Sequence, residues 1–149
     1  MKKWLSLGLL VLITIVFSSI QSASLTRSDL HIQLKNIRNS DGVIYVFLYN
    51  YENQYPRAPL TYYKVGKSKV KNGNLTVKIP NIEYNPKYAI TLIDDENDNE
   101  DLDRFLGLPT EGFGFSNNVR PLISLPDYND LLFTFSSEKT IYIDLQYFL

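Results

Sequence analysis

The sequence predicts an all-β protein, an antiparallel β-sandwich of about seven strands in a single domain. Several segments, of which Leu30–Leu34 is the clearest, alternate apolar and polar side chains with the period of two that half-buried strands require. Turn signals rich in glycine and asparagine separate these segments, and beyond residue 24 no segment shows the periodicity of a helix. The length of 149 residues and the apolar content of 44% suit one domain with its own hydrophobic core.

Residues 1–23 are predicted to be a signal peptide. Lys2 and Lys3 precede an apolar run from Trp4 to Ile20, and small and polar residues follow it. This order of regions is typical of a secretory signal, and the run is shorter than the ~20 apolar residues that a membrane span usually needs, although an uncleaved anchor is the alternative. We therefore expect an exported, periplasmic or extracellular protein, with a mature domain over residues 24–149 that contains no membrane span.

The first two predicted strands are Asp29–Asn36 and Val43–Tyr49. Between them, Asn39–Gly42 predicts a turn, because glycine tolerates a positive φ. Val43–Tyr49 is apolar on both faces, which indicates a central strand with tyrosines at its margin. We expect these two strands to pair as a hairpin.

The next segments predict a loop and two further strands. Asn50–Pro59 is a loop, and Tyr62–Val70 is extended, with a glycine and alternating lysines that favour an edge strand or a bulge. Lys71–Asn74 holds the Asn-Gly pair that is typical of a tight hairpin turn. Leu75–Ile79 alternates again, and Pro80 is predicted to end that strand.

The last third of the chain combines a long connection with three predicted strands. Tyr88–Ile93 leads into residues 94–128, which lack clear periodicity but contain enough apolar residues to pack against the domain. Connections of that length are usually functional or disordered. Leu131–Phe135 and Thr140–Leu145 are expected to close the chain as a hairpin around Ser136–Lys139.

An acidic stretch opens that connection, because seven of the 16 acidic residues fall within Asp94–Asp103. Oxygen-bearing side chains at alternate positions are what a hard cation such as Ca²⁺ needs, and their spacing here matches the EF-hand loop. Glu100 stands at the position of the turn glycine and Leu106 at that of the bidentate glutamate, so a true EF-hand is not expected. The candidate metal ligands are Asp95, Asn97, Asn99, Asp101, Asp103 and, as a distal candidate, Glu111.

Two other interpretations of the acidic stretch remain open. Aspartate and asparagine favour turns, because their side chains accept hydrogen bonds from nearby backbone amides, so a solvated loop needs no metal. The carboxylates are also numerous enough to supply catalytic groups. Against the first of these, seven neighbouring carboxylates repel one another, and a cation would reduce that repulsion.

The chain resembles a bacterial secreted family, domain of unknown function 2141, from about Leu30 to Leu145. The segments that carry the resemblance are Asp94–Asp103, Phe105–Pro109, Gly114–Asn118, Asp41–Asn50 and Lys71–Val77. Family members usually carry histidine at the position of Asp94 and glycine where this chain has Glu100 and Asp101. The resemblance implies an exported β-sandwich of immunoglobulin-like or transthyretin-like type, and it implies no established activity.

Several classes of site are excluded by composition. The chain has no cysteine and one histidine, His31, which alternates outward from an apolar face, so a zinc site of the usual ligands and a disulfide framework are not expected. There is no Gly-x-Ser-x-Gly elbow and no phosphate-binding glycine loop. The formal net charge is −1, which gives no field for binding nucleic acid.

The functional prediction is a non-enzymatic binding module with a candidate Ca²⁺ site in the acidic loop. Tyr51, Tyr55, Tyr62 and Tyr63 lie close together in the sequence. They suit either stacking against sugar rings or the margin of the core, and an envelope protein or a carbohydrate is the expected partner. The alternatives are a purely structural or protein-interaction domain of the cell envelope and a carboxylate-dependent hydrolase.

Overall fold

The computed structural model describes residues 26–84, 86–121, 124–136 and 140–148, which form an all-β protein. The strands are β1 (Arg27–Lys35), β2 (Val43–Tyr49), β3 (Thr61–Gly66), β4 (Leu75–Glu83), β5 (Lys87–Asp95), β6 (Arg104–Phe105), β7 (Leu108–Pro109), β8 (Gly112–Phe115), β9 (Phe133–Thr134) and β10 (Thr140–Asp144). The helical elements within these ranges are the four-residue helix α1 (Tyr128–Leu131) and two 3-10 turns, Glu52–Gln54 and Ser116–Asn118.

The first sheet has the strand order β10-β1-β4. Strand β1 pairs antiparallel with β4, and Ile32 lies opposite Val77. On its other edge β1 pairs parallel with β10, and Leu34 lies opposite Ile143. The C-terminal strand thus pairs with the first strand of the fold.

The second sheet has the strand order β3-β2-β5-β8 and is antiparallel throughout. Strand β5 is central, and its first residues also pair with β9, where Lys87 lies opposite Thr134. Strands β6 and β7 form a separate two-stranded hairpin between β5 and β8. This arrangement places the acidic loop and the β6–β7 hairpin at one end of the second sheet.

One hydrophobic core lies between the two larger sheets, because strands of both supply its buried side chains. The core residues of β1 and β2 are Leu30, Ile32, Leu34, Ile44, Val46 and Leu48. A separate cluster lies on the opposite face of the second sheet, where α1 and the 3-10 turn Ser116–Asn118 pack. Its buried members are Tyr49, Ala89, Phe113, Phe115, Tyr128 and Leu131. The second sheet therefore carries apolar side chains on both faces.

The predicted hairpin of the first two strands is wrong, because β1 and β2 belong to different sheets. The connection between them crosses the core, where Ile37 is 5% exposed. The amide of Ile37 donates a hydrogen bond to the carbonyl of Gly73 at 3.0 Å, which fixes the crossing. A short connection with a single buried apolar side chain can thus bridge two sheets where a turn signal alone favours a hairpin.

The Asn-Gly turn and the proline at position 80 behave differently from expectation. Lys71 and Asn74 pair across a tight turn, as predicted, but the flanking strands β3 and β4 lie in different sheets. Pro80 does not end β4, which continues to Glu83. The register with β1 shifts at this point, and the amide of Asn81 bonds the side chain of Asp29 at 3.2 Å. The proline is tolerated because a bulge does not need its missing amide hydrogen.

The C-terminal hairpin prediction is also wrong, since β9 pairs with β5 and β10 pairs with β1. Leu131 ends helix α1, so the predicted strand begins at Phe133 instead. Residues 137–139 of the predicted turn lie outside the described residues, as does the predicted signal peptide. Within the described ranges, no helix is long and apolar enough to cross a membrane.

Candidate functional site

The acidic loop begins where β5 ends, and its first two carboxylates are buried. Asp94 and Asp95 are fully shielded from solvent and pair with β2 at Ile44 and Val43. Gly42 lies beside them with a φ of +66°, and a Cβ atom there would lie 2.0 Å from the carbonyl oxygen of Asp95. The backbone at the end of β5 therefore leaves room only for glycine at position 42, as the predicted turn Asn39–Gly42 indicated.

Asp94 is held by a buried cation and a buried phenol. The Nζ atom of Lys67 lies 2.7 Å from Oδ1 of Asp94, and Tyr147 donates its hydroxyl hydrogen to Oδ2 at 2.6 Å. Lys67 also donates to Oδ1 of Asn39 at 2.8 Å. These contacts join β5, the end of β3, the β1–β2 connection and the C-terminal segment.

Burial is the main influence on the pKa values of this cluster. Loss of solvent raises the pKa of Asp94, and the hydrogen bonds from Lys67 and Tyr147 oppose that rise. Burial also raises the pKa of Tyr147, and its hydrogen bond to Asp94 adds to the effect. Both lysine and carboxylate are inaccessible to solvent, so the cluster stabilises the fold rather than offering reactive groups to a substrate.

Next to this cluster, Glu96 pairs with Arg38. The Nε atom of Arg38 donates to Oε1 of Glu96 at 2.7 Å, and Asn39 donates to the same oxygen at 2.7 Å. The hydrogen bond from Arg38 is the largest cause that lowers the pKa of Glu96. The guanidinium also lies over the ring of Tyr147, 4.6 Å from its centroid.

Two predicted metal ligands, Asp95 and Glu111, bind backbone amides of the loop. The carboxylate of Asp95 accepts hydrogen bonds from the amides of Asn99 at 3.1 Å and Glu100 at 2.8 Å. The carboxylate of Glu111 accepts from the amides of Glu96 at 2.9 Å and Asp103 at 3.1 Å. These two side chains therefore close the loop from the inside, a role that turn-forming carboxylates commonly have.

The other predicted ligands bond to one another. The side-chain amides of Asn97 and Asn99 donate to the two oxygens of Asp103, at 2.6 and 3.1 Å. Oδ1 of Asn99 accepts from the amide of Asp101 at 2.9 Å, and Oδ1 of Asp101 accepts from the amide of Leu102 at 2.8 Å. Among the described residues, no three acidic or histidine side chains are grouped so that they could hold a metal ion. The Ca²⁺ site stays a prediction.

Burial and the negative charges of two loop carboxylates affect the pKa of Glu111. Burial is the largest cause that raises its pKa, two backbone hydrogen bonds oppose it, and the negative charges of Asp103 and Asp95 raise it further. Two of the six candidate ligands, Asp103 and Asp95, therefore act electrostatically on a third, Glu111.

The loop also contains backbone strain at the position where an EF-hand has glycine. Glu100 adopts a φ of +67° and Asp98 a φ of +57°. Side chains other than glycine, asparagine and aspartate seldom occupy this region, because Cβ crowds the backbone. The chain therefore forms this left-handed turn with glutamate at position 100, where the EF-hand loop has glycine.

A groove of about 380 Å³ lies on the outer face of the second sheet and was not predicted. Strands β2, β5 and β8 form its floor, and the loop after β2, the β6–β7 hairpin and the C-terminal segment form its walls. Its aromatic lining comprises Phe47, Tyr49, Tyr55, Phe113, Phe115 and Phe148. The size falls at the lower end of the range for small-molecule pockets, and an apolar lining is typical of them.

Polar groups are few within the groove. The hydroxyl of Tyr49 donates to the carbonyl of Pro56 at 2.9 Å and lies 3.5 Å from Oγ1 of Thr91. Tyr55 meets Tyr49 edge to face, with 5.4 Å between ring centroids. Burial raises the pKa of Tyr55 to about 12, so its hydroxyl stays protonated at neutral pH. The charged residues of the described lining are Arg57 and Arg104, and both are exposed.

An aromatic platform adjoins the groove and shares Phe47, Ile93 and Leu102 with it. The rings of Tyr45, Phe47 and Tyr62 have neighbouring centroids 6.1 to 6.4 Å apart. Acidic side chains and one lysine border this platform at Glu100, Asp101 and Lys64.

The four tyrosines that lie close together in the sequence occupy different places in the structure. Tyr63 packs against the central core, and Tyr55 lines the groove. Tyr62 belongs to the platform, and Tyr51 is 62% exposed. His31 is exposed, which confirms the surface position predicted for it.

A sequence signal for the groove was present in β2. Its residues are apolar on both faces, and the structure assigns Ile44, Val46 and Leu48 to the core, while the three aromatic residues between and after them face outward. The remaining lining comes from distant segments, so its convergence is a property of the sheet order.

Comparison with known protein families identifies the family of this chain. The family described as "Uncharacterized protein conserved in bacteria (DUF2141)" matches residues 32–142, and the chain belongs to it. A search of curated proteins and a search of solved structures each found no match. The family description names no activity, so the function is argued from the geometry alone.

Proposed function

We propose that the protein is an exported, non-enzymatic binding module whose ligand site is the groove on the outer face of the second sheet. The proposal rests on one observation, an apolar groove of about 380 Å³ that sits on a sheet whose opposite face already forms the core. A surface strand normally alternates between a buried apolar face and a polar face. Helix α1 and the 3-10 turn Ser116–Asn118 cover part of that second face, but the half-buried Phe47 and the exposed Leu108 and Phe148 are left accessible at the groove, and a ligand would cover them.

The walls of the groove support the same conclusion. Leu108 is 44% exposed, Phe148 42% and Leu125 56%, although all three border the groove. Large apolar side chains that stay accessible around a concavity are typical of binding sites. We propose the two-sheet architecture as a sandwich of immunoglobulin-like or transthyretin-like type that presents this groove, with export following from the predicted signal peptide.

Binding of the neutral fluorescent probe N-phenyl-1-naphthylamine tests this function. The probe should brighten on binding, and Leu108→Glu should weaken binding by about tenfold or more, since a carboxylate in an apolar site must be desolvated. Leu106→Glu is the matched control, because Leu106 is 88% exposed on the same hairpin and does not line the groove. No binding by the unaltered protein, or equal loss in the two variants, would overturn the proposal.

We propose Ca²⁺ binding by the acidic loop as a second candidate function. Its support is the oxygen-rich spacing of the loop, together with the negative charges of Asp103 and Asp95, which add to burial in raising the pKa of Glu111. A cation would reduce that repulsion, and its entry would require the asparagine amides now bound to Asp103 to turn away.

Calorimetric titration with CaCl₂ tests the second candidate. Heat of binding and a raised melting temperature at millimolar Ca²⁺ are expected. Both should disappear in Asp103→Asn and persist in Asp41→Asn, a matched loss of charge outside the loop. Absence of heat together with an unchanged melting temperature would reject the calcium site and leave the groove proposal unaffected.

A further inference from the structure

We propose that the groove selects amphipathic anions, with the apolar body of the ligand on the aromatic floor and its anionic group at Arg57 and Arg104. The inference rests on the proposed function and adds the chemical class of the ligand. The shared chemistry is an acyl or aromatic body that ends in a carboxylate, phosphate or sulfate.

The charge of the groove is the first argument. Arg57 and Arg104 border it, and no aspartate or glutamate occurs among its described lining residues. No hydrogen bond or ion pair of the Arg57 side chain occurs among the described residues. Arg104 donates only a long bond of 3.4 Å to the carbonyl of Gly107. Two guanidinium groups therefore retain hydrogen-bonding capacity beside an apolar concavity.

The contacts of the nearby carboxylates also support the inference. The acidic loop adjoins the groove through Leu102, yet both oxygens of Asp103 are occupied by the amides of Asn97 and Asn99. Glu100 and Asp101 border the neighbouring platform instead. Among the described residues, no carboxylate of the loop forms an ion pair with Arg57 or Arg104.

The chemistry of arginine is the third argument. Its planar guanidinium presents several donors at once and pairs with carboxylate, phosphate or sulfate through parallel hydrogen bonds. The floor adds only neutral hydroxyl groups, those of Tyr49 and Thr91, which carry no charge preference. Charge selectivity therefore falls to Arg57 and Arg104, whereas the aromatic floor supplies apolar contact.

A matched set of ligands separates charge from apolar contact. Decanoate, decanol and decyltrimethylammonium share one alkyl chain and differ only in the head group. Displacement of N-phenyl-1-naphthylamine should be about tenfold stronger with decanoate than with decanol, and weakest with the ammonium compound. Decyl phosphate should match decanoate, and anionic lipid vesicles test whether the same head-group chemistry is also read on a lipid surface.

Variants of the arginines complete the test. Arg57→Gln with Arg104→Gln should reduce the affinity for decanoate about tenfold and leave that for decanol unchanged. Lys69→Gln with Lys71→Gln is the control for loss of two positive charges, because both lysines are exposed and lie outside the groove. Circular dichroism of each variant verifies that the fold is retained.

The outcomes distinguish this inference from the function on which it rests. Equal affinity for the three head groups, with loss in Leu108→Glu, would overturn anion selection while the groove remained a binding site. Preference for the ammonium compound would also overturn it. If neither the ligands nor the neutral probe bind, both proposals are overturned. Binding to anionic vesicles without binding of the free ligands would show that the groove recognises the anionic head group on a lipid surface.

Discussion

Lys67 and Asp94 form an ion pair with 2.7 Å between Nζ and Oδ1, and neither side chain is exposed to solvent. The pair lies where β5 enters the acidic loop, so it anchors one end of that loop to the core. A buried pair of this kind gives little net stability relative to apolar residues, but the loss of one partner leaves an uncompensated charge.

Replacement of Lys67 by methionine should therefore lower the free energy of unfolding by about 3–5 kcal/mol. Lys64→Met is the matched control, since Lys64 pairs with Asp98 at 2.8 Å but is 41% exposed, and its loss should lower the free energy of unfolding far less. Urea denaturation measures both values. Equal losses in the two variants would show that burial does not govern the Lys67 pair.

Asp95→Asn should destabilise the loop, because an amide nitrogen cannot accept one of the two backbone hydrogen bonds that the carboxylate receives. The expected cost is about 1–3 kcal/mol, as for a buried donor left without a partner. Hydrogen exchange at the amides of Asn99 and Glu100 should become faster. Asp98→Asn, at an exposed position of the same loop, should leave both rates unchanged.

Glu100→Gly should stabilise the protein by about 0.5–1 kcal/mol, because glycine adopts a φ of +67° without the steric cost of Cβ. The adjacent Asp101→Gly is the control. It lacks a positive φ, and its carboxylate accepts the amide of Leu102, so glycine there should destabilise. Thermal unfolding compares them, and a fall in melting temperature for Glu100→Gly would contradict the strain argument.

The Arg38–Glu96 pair should make stability depend on pH in the acidic range. Arg38 lowers the pKa of Glu96 from its usual 4.5, so the unfolded state binds more protons and stability is lost as the pH falls through the folded-state pKa. Glu96→Gln should lower the free energy of unfolding by about 1–2 kcal/mol at neutral pH. The difference in unfolding free energy between Glu96→Gln and the unaltered protein should shrink as the pH falls below the folded-state pKa of Glu96. Glu52→Gln, on an exposed turn, should show no such trend.

The sequence predicted the strands better than their partners. The bounds of β2 are those expected, and β1, β4 and β5 overlap their predicted segments. Periodicity reports whether a side chain faces a core, but it contains no information on which strand lies alongside. Ile37 is an example of what periodicity misses. It is buried in the β1–β2 connection, where the chain passes from the first sheet to the second.

The candidate site was predictable only in part. The spacing of the acidic loop indicated Asp95 as a candidate metal ligand, Glu111 was a distal candidate outside that spacing, and the structure shows that both bind backbone amides. Whether a carboxylate accepts amides or a cation depends on loop conformation, which spacing does not determine. The apolar pattern of β2 indicated a second covered face, but the groove itself depends on the convergence of β2, β5, β8 and the β6–β7 hairpin, which a local pattern does not reveal.

The most direct test of the binding site is a map of amide chemical shifts during titration of the ¹⁵N-labelled protein with decanoate. Binding in the groove predicts saturable shifts at Thr91, Phe113 and Phe115, which lie on its floor. The amides of the opposite sheet, such as Gln33 and Lys78, should stay unchanged. Shifts confined to that sheet, or no saturable shift at any residue, would contradict the proposed site.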